Sequence, residues 1–256
     1  MTSPVMAASD TWVMAKRNLT IWTRVPVFIV FSLVQPVIFT LLFRYVFGGA
    51  IPVALRGGYV EYLLPGVIGQ TAAFASMGTA ISLATEVKEG VVDRLRAMPI
   101  ARSAYLNGRI LADVLRMTMT VLVIVGIGYL VGFSFRNGFA AAVGAIALAI
   151  ALGTGICLVS AAVGLTLKDE EATQAFGLLW LFPLTFVSSA FVPVQTMPGW
   201  LQAFANNQPL THVINAIRSL SLGLPMHDDL WLSLVWIAVI FVVFTPLAVR
   251  AYQRVS

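Results

Sequence analysis

The chain has 256 residues, 59% of them hydrophobic and 11% charged, with a formal net charge of +5 at pH 7. A soluble domain carries roughly a quarter of its residues as charges, so a mean hydropathy of +0.90 excludes that class and places most of the chain in lipid. The single cysteine, Cys157, excludes disulfides and cysteine-held metal centres within one chain. The positive charge comes without the interleaved basic and aromatic patch of a nucleic-acid binder, so nucleic acid is not an expected partner.

The first element predicted is a helix over residues 9–24. It carries Trp12, Ala15, Leu19 and Trp22 on one face and Lys16, Arg17, Thr20 and Arg24 on another. Such a helix lies flat at the inner membrane interface, indoles at headgroup depth and cations toward phosphate. Anchoring alone and contact with a cytoplasmic partner both fit it.

Spanning the hydrocarbon takes roughly 20 apolar residues in a helix whose backbone satisfies itself. Six segments meet that rule, at 25–47, 60–84, 113–133, 139–167, 172–191 and 229–249. The first starts too late and runs too long for a cleaved signal peptide. No period-2 alternation points to a barrel. The expected fold is therefore all-α and membrane-embedded, one domain over 1–256 with six transmembrane helices. With both termini inside, the cytoplasmic side receives twelve Lys and Arg residues and the outside four, Arg44, Arg56, Arg136 and Arg218. Positive charge is retained on the cytoplasmic side, so both termini are expected there, in the plasma membrane. Glu61, Arg44, Asp113 and Arg116 fall near predicted span ends, where they snorkel or pair.

Between the second and third spans, Val87, Val91, Leu95 and Met98 recur at helical spacing, with Glu86, Lys88, Glu89, Asp93, Arg94 and Arg96 around them. That predicts one amphipathic cytoplasmic helix over 86–99, stopped by Pro99. A solvated loop and a knob docked into a soluble motor are both open on these residues. The second inner connection, Lys168 to Glu171, places three acids at a helix start, where carboxylates suit the positive end of the macrodipole. Outside, residues 192–228 are too apolar for a loop and too broken for a span, which predicts re-entrant half-helices between spans five and six. His212 reads as a structural or interfacial residue.

The chain has no phosphate-cradling loop ending in Lys and Ser or Thr, and no hydrolytic triad spacing, so it is not expected to use ATP itself. Two blocks then carry a resemblance. They are Glu86-Val-Lys-Glu-Gly-Val-Val-Asp-Arg-Leu-Arg-Ala-Met-Pro99, and Phe191-Val-Pro-Val followed by Met197-Pro-Gly-Trp-Leu201 and Pro209-Leu-Thr-His212. With the amphipathic start and six spans, the chain resembles the membrane subunit of type-2 ABC exporters.

The resemblance implies that 86–99 is a coupling helix seated in a separate ATPase subunit, which would bind ATP and Mg. Its contact residues would be Glu86, Val87, Glu89, Val91, Arg94, Leu95, Met98 and Pro99. It implies a second permease, identical or related, and a route between the two. Phe28, Gln35, Phe39, Gln70, Phe74, Trp180, Phe186 and Ser189 would line that route, with Phe191, Pro193, Trp200 and Phe204 at an outer gate. The implied cargo is a hydrophobic or amphipathic small molecule, a drug or lipid-like product. Lipid-linked glycan export is the alternative within the family, and an ion-gradient transporter the alternative outside it.

Overall fold

In the computed structural model, residues 4–24, 26–51, 55, 57–97 and 104–254 are described, excluding the side chains of 4, 5, 7, 26–33 and 96. Ten α-helices lie among these residues, and no strand does. The first, α1 (Pro4–Arg24), buries Met14 and Ala15 while Trp12 and Ile21 stay exposed. α2 (Pro26–Leu42) continues without a break into a π-helical turn, Phe43–Phe47. α3 (Tyr59–Lys88), α5 (Ala104–Leu130), α6 (Gly138–Leu167) and α10 (Asp229–Gln253) are each long and apolar enough to cross a membrane. α2 and α7 (Glu170–Phe186) are apolar but have 17 residues each.

The core forms where α3 meets α6, and small residues let those backbones approach. A Cβ on Gly164 would collide with the Ala80 carbonyl, and one on Gly153 with the Met117 thioether. Gly66 holds the same relation to the Ala190 carbonyl, so the chain after α7 lies directly on α3. Ser160 donates to Ser76 at 2.9 Å across α6 and α3. α10 is apolar nearly all round and keeps Val239, Val242 and Val243 exposed, which suits a lipid-facing helix.

Three predicted boundaries need correction. The third span was expected at 113–133, but its helix begins at Ala104, so Asp113 and Arg116 lie inside it. Polar residues such as Asn107 and Arg109 hid that start. The fifth span, expected to reach 191, ends at Phe186. There Thr185 and Ser188 turn their hydroxyls onto the backbone, to the Leu181 and Thr185 carbonyls.

The single helix expected over 86–99 is instead two. α3 runs on to Lys88, and a turn at Glu89 and Gly90 precedes a short α4 (Val91–Arg96). Gly90 has φ 66, a left-handed conformation that glycine takes without penalty. Met98 and Pro99 lie outside the described residues.

The region 192–228 contains a 3-10 turn, Val194–Thr196, then α8 (Gly199–Asn207) and α9 (Pro209–Leu222). Gln208 breaks the pair in extended conformation, and its amide donates to the Val187 carbonyl. α9 packs on α6, α10 and α3.

Candidate functional site

At the end of the bundle where α3 turns into α4, α4 presents its apolar side to its own chain. Val92 and Leu95 are buried in a cluster with Met14, Leu83, Tyr105, Leu165 and Tyr252, and Val87 and Val91 pack against it. Glu86 is also buried. It accepts from the Tyr105 hydroxyl and faces Arg17 at 3.3 Å, tying the end of α3 to α5 and α1. Of the expected coupling residues, Glu89 and Arg94 remain exposed, together with Asp93 and Ala97. Arg94 donates to the Glu89 carbonyl at 3.3 Å, which holds the two on one surface.

Lys88 bridges to Asp169 at 3.5 Å, connecting this surface to the N-cap of α7. The Asp169 carboxylate accepts the Ala172 N–H, and that bond, followed by Lys88, holds its pKa below the usual value. Its stabilising effect is therefore present above the ordinary carboxylate range and is lost as pH falls through the depressed value.

A cavity of about 710 Å³ opens above this end, bounded by α1, α2, α3 and α5. Gln35, Gln70 and Phe74, three of the expected lining residues, border it. Its inner wall carries a charge cluster that the sequence reading left at a span end. Asp113, 5% exposed, faces Arg116 at 2.8 Å and Arg109 at 3.5 Å and accepts from the Thr79 hydroxyl at 2.7 Å. Arg116 also donates to the Ala75 carbonyl. These groups are ion-paired inside the bundle and do not snorkel, because the helix starts about two and a half turns before Asp113.

The other expected lining residues gather elsewhere. Phe39 stacks on Phe43 at 6.0 Å, and Phe186 lies 5.3 Å from both Phe182 and Phe191. Trp180 is half-buried against the main core. Ser189 is buried and donates to Asn215 at 2.8 Å. The side chain of Phe28 is outside the described residues.

Among the gate candidates, Phe191 is buried and stacks on Phe43 at 4.4 Å, and its carbonyl accepts from the Tyr59 hydroxyl. Pro193 is half-buried and accepts from Thr196. Trp200 is 75% exposed and Phe204 48%. The two therefore lie on an outer surface, apart from the aromatic cluster.

Arg218, counted from the sequence among the four outside charges, is a buried anchor. It donates to the Ser189 carbonyl at 2.8 Å, the Tyr62 carbonyl at 3.0 Å and Asn215 at 2.8 Å, with its guanidinium 3.8 Å from the Tyr62 ring centroid. This fastens α9, α3 and the chain after α7 together. Nearby, Glu61 pairs with Arg136, and His212 with Asp229 at 2.8 Å between α9 and α10. Apolar neighbours at Val213, Ile214 and Ile217 were the available signal that Arg218 sits on a buried face.

The sequence profile of the ABC-2 type transporter family matches residues 9–222. The chain is 35% identical over 248 residues to the daunorubicin resistance ABC transporter permease protein DrrB1 of Streptomyces coeruleorubidus, covering 97% of this chain and 87% of that one. It is 30% identical over 249 residues to the probable doxorubicin resistance ABC transporter permease protein DrrC of Mycobacterium tuberculosis, covering 97% and 90%. Over 73% of this chain and 26% of the relative, it is 29% identical to ABC transporter G family member 20 of Dictyostelium discoideum. With a match that runs from within α1 to the end of α9, the chain belongs to the ABC-2 type transporter family of membrane permeases.

Proposed function

We propose that this chain is the membrane-spanning permease subunit of an ATP-driven exporter that moves hydrophobic or amphipathic small molecules, drugs or lipid-like natural products, out of the cell. The observation that carries this reading is the end-to-end similarity to a daunorubicin resistance permease. In this reading the chain is one permease domain over 1–256, in the plasma membrane, with both termini cytoplasmic. α2 with its π turn, and α7, join the four longer helices as spans one and five, and α8 and α9 are the re-entrant pair. ATP and Mg are bound by a partner ATPase, and two permeases complete the unit.

The partner grips the charged side of the α3–α4 turn, at Glu89, Asp93 and Arg94. The packing beneath supports this division of labour. Because Val92 and Leu95 are wedged against Leu83, Tyr105 and Leu165, a force on α4 is delivered to the ends of α3, α5 and α6 together. Lys88 and Asp169 extend that linkage to α7. Phe191, stacked on Phe43 beneath the Arg218 anchor, would close the outer end, with Pro193, Trp200 and Phe204 on its rim.

The test is uptake of daunorubicin by inside-out vesicles holding the permease and its ATPase. Replacing the ATPase's catalytic carboxylate should reduce uptake at least tenfold. Undiminished uptake under a proton gradient alone would replace this reading with that of a secondary transporter.

A further inference from the structure

The cavity between α1, α2, α3 and α5 has a composition that specifies an occupant. Its mouth and sides are apolar, at Leu19, Ile21, Trp22, Pro36 and Phe74, and Ile21 is exposed beside it. Its inner wall is ionic. Asp113 balances one of the two guanidiniums of Arg109 and Arg116, and Glu86 is already engaged by Arg17 and Tyr105. One positive charge is left in excess on that wall among the described residues. Glu170, half-buried like Arg116, also borders the cavity, away from that wall and in the first turn of α7, where the positive end of the helix partly offsets it.

Hydrogen-bond donors are left over as well. Gln70 is 3% exposed, and its amide nitrogen has no partner among the described residues. Arg109 Nε faces Asp113 at ion-pair distance without forming a hydrogen bond. A guanidinium has five N–H donors, and Arg116 directs one nitrogen, Nη2, at both Asp113 and the Ala75 carbonyl. Its Nη1 lies 3.5 Å from the position of a Cβ on Gly78, which also lines the cavity. Buried donors without acceptors are costly, and an excess charge inside a membrane protein more so. An anion with acceptor oxygens relieves both.

We propose that this cavity is a binding site for an amphiphile with a single negative charge, a phosphate diester or carboxylate, taken from the cytoplasmic leaflet. Its headgroup sits on Arg116 and the Gln70 amide, and its apolar part leaves past Phe74, Trp22 and Ile21. The volume of about 710 Å³ lies within the ~300–1,000 Å³ usual for such sites. It accommodates a headgroup and the first part of a chain, the remainder lying in the bilayer. Two sources share this chemistry, a membrane phospholipid and an anionic cargo molecule. The site lies within one chain and does not depend on the export reading, since binding to it is measured without an ATPase.

The test is native mass spectrometry of the full-length permease in detergent, with phosphatidylglycerol, phosphatidylcholine of the same chains, oleate and inorganic phosphate as probes. Phosphatidylglycerol should be retained at least tenfold over phosphatidylcholine. Gly78→Leu fills the cavity from a position whose nearest neighbour is in ordinary contact. It should lower retention at least tenfold, as should Arg116→Gln. Arg254→Gln removes the same charge from the exposed end of α10 and should change nothing. Retention of oleate alongside the phospholipid assigns the site to any monoanionic amphiphile, including cargo. Retention of phosphatidylglycerol alone assigns it to membrane lipid. Equal retention of phosphatidylcholine, binding of phosphate with no gain from the chains, or full retention in Gly78→Leu would each overturn the proposal.

Discussion

Asp113→Ala should destabilise the folded permease by about 3–5 kcal/mol, the range for removing one partner from a buried ion pair. The carboxylate lies between Arg109 and Arg116 and accepts from Thr79, all inside the α3–α5–α6 packing. Without it, two guanidiniums face each other across a cavity wall and the Thr79 hydroxyl keeps only the weaker Cys157 sulfur at 3.6 Å as an acceptor. Arg116→Met added to Asp113→Ala removes one of those repelling charges, so the double variant should recover roughly 1–3 kcal/mol relative to additivity. Unfolding of purified protein in mixed micelles by increasing denaturing detergent, followed by circular dichroism, measures both quantities. A cost under about 1 kcal/mol with strict additivity, as for solvated pairs, would mean that the triad is hydrated and carries no structural charge balance.

In the exporter reading proposed above, reversing the charges at the α3–α4 turn, with Glu89→Lys and Arg94→Glu together, should lower transport at least thirtyfold while leaving the permease intact. Both side chains are exposed and neither belongs to the cluster around Leu83 and Tyr105, so the unfolding transition should not move. The expected damage lies at the docked surface. Losing charged contacts across an interface costs about 2–5 kcal/mol, which is a loss of thirtyfold or more in productive coupling. Daunorubicin uptake should fall by that factor while the separate ATPase still hydrolyses ATP. Leu95→Asp makes the contrast, because Leu95 is 6% exposed and its replacement should reduce the amount of folded protein itself. Normal uptake by the double-reversal variant would place the partner elsewhere.

The amphipathic pattern of Val87, Val91 and Leu95 was legible as a helical face, but its direction was not. A short apolar face serves equally to bind a partner or to fold back, and only the neighbouring Met14, Leu165 and Tyr252 decide it. Long apolar runs were readable by length alone, so α6 and α10 begin and end close to expectation. The α5 start was not, since Asn107, Gly108 and Arg109 interrupt its apolar run and read as loop until tertiary partners satisfy Arg109 and Asp113. Gln35, Gln70 and Phe74, which the resemblance offers for a route between two permeases, border a cavity within one chain. The Arg109–Asp113–Arg116 wall was missed because it was assigned to a membrane edge. Arg218 shows the converse: a charge counted only toward orientation donates to two backbone carbonyls, of Tyr62 and Ser189, and to the Asn215 side chain of its own helix.

The central claim is that force enters this chain from a cytoplasmic ATPase through α4. Cysteine labelling tests it directly, because the native Cys157 is fully buried and Asp93 is exposed on the outward side of α4. In an Asp93→Cys permease, the new thiol should resist a membrane-impermeant maleimide in intact cells and react with it in inside-out vesicles. A maleimide–benzophenone reagent on that thiol, which inserts into any nearby C–H bond on illumination, should then join it to the nucleotide-hydrolysing companion, with a yield that changes when ATP is added. Labelling from outside intact cells, or a reactive thiol that never crosslinks to that companion, would contradict the account.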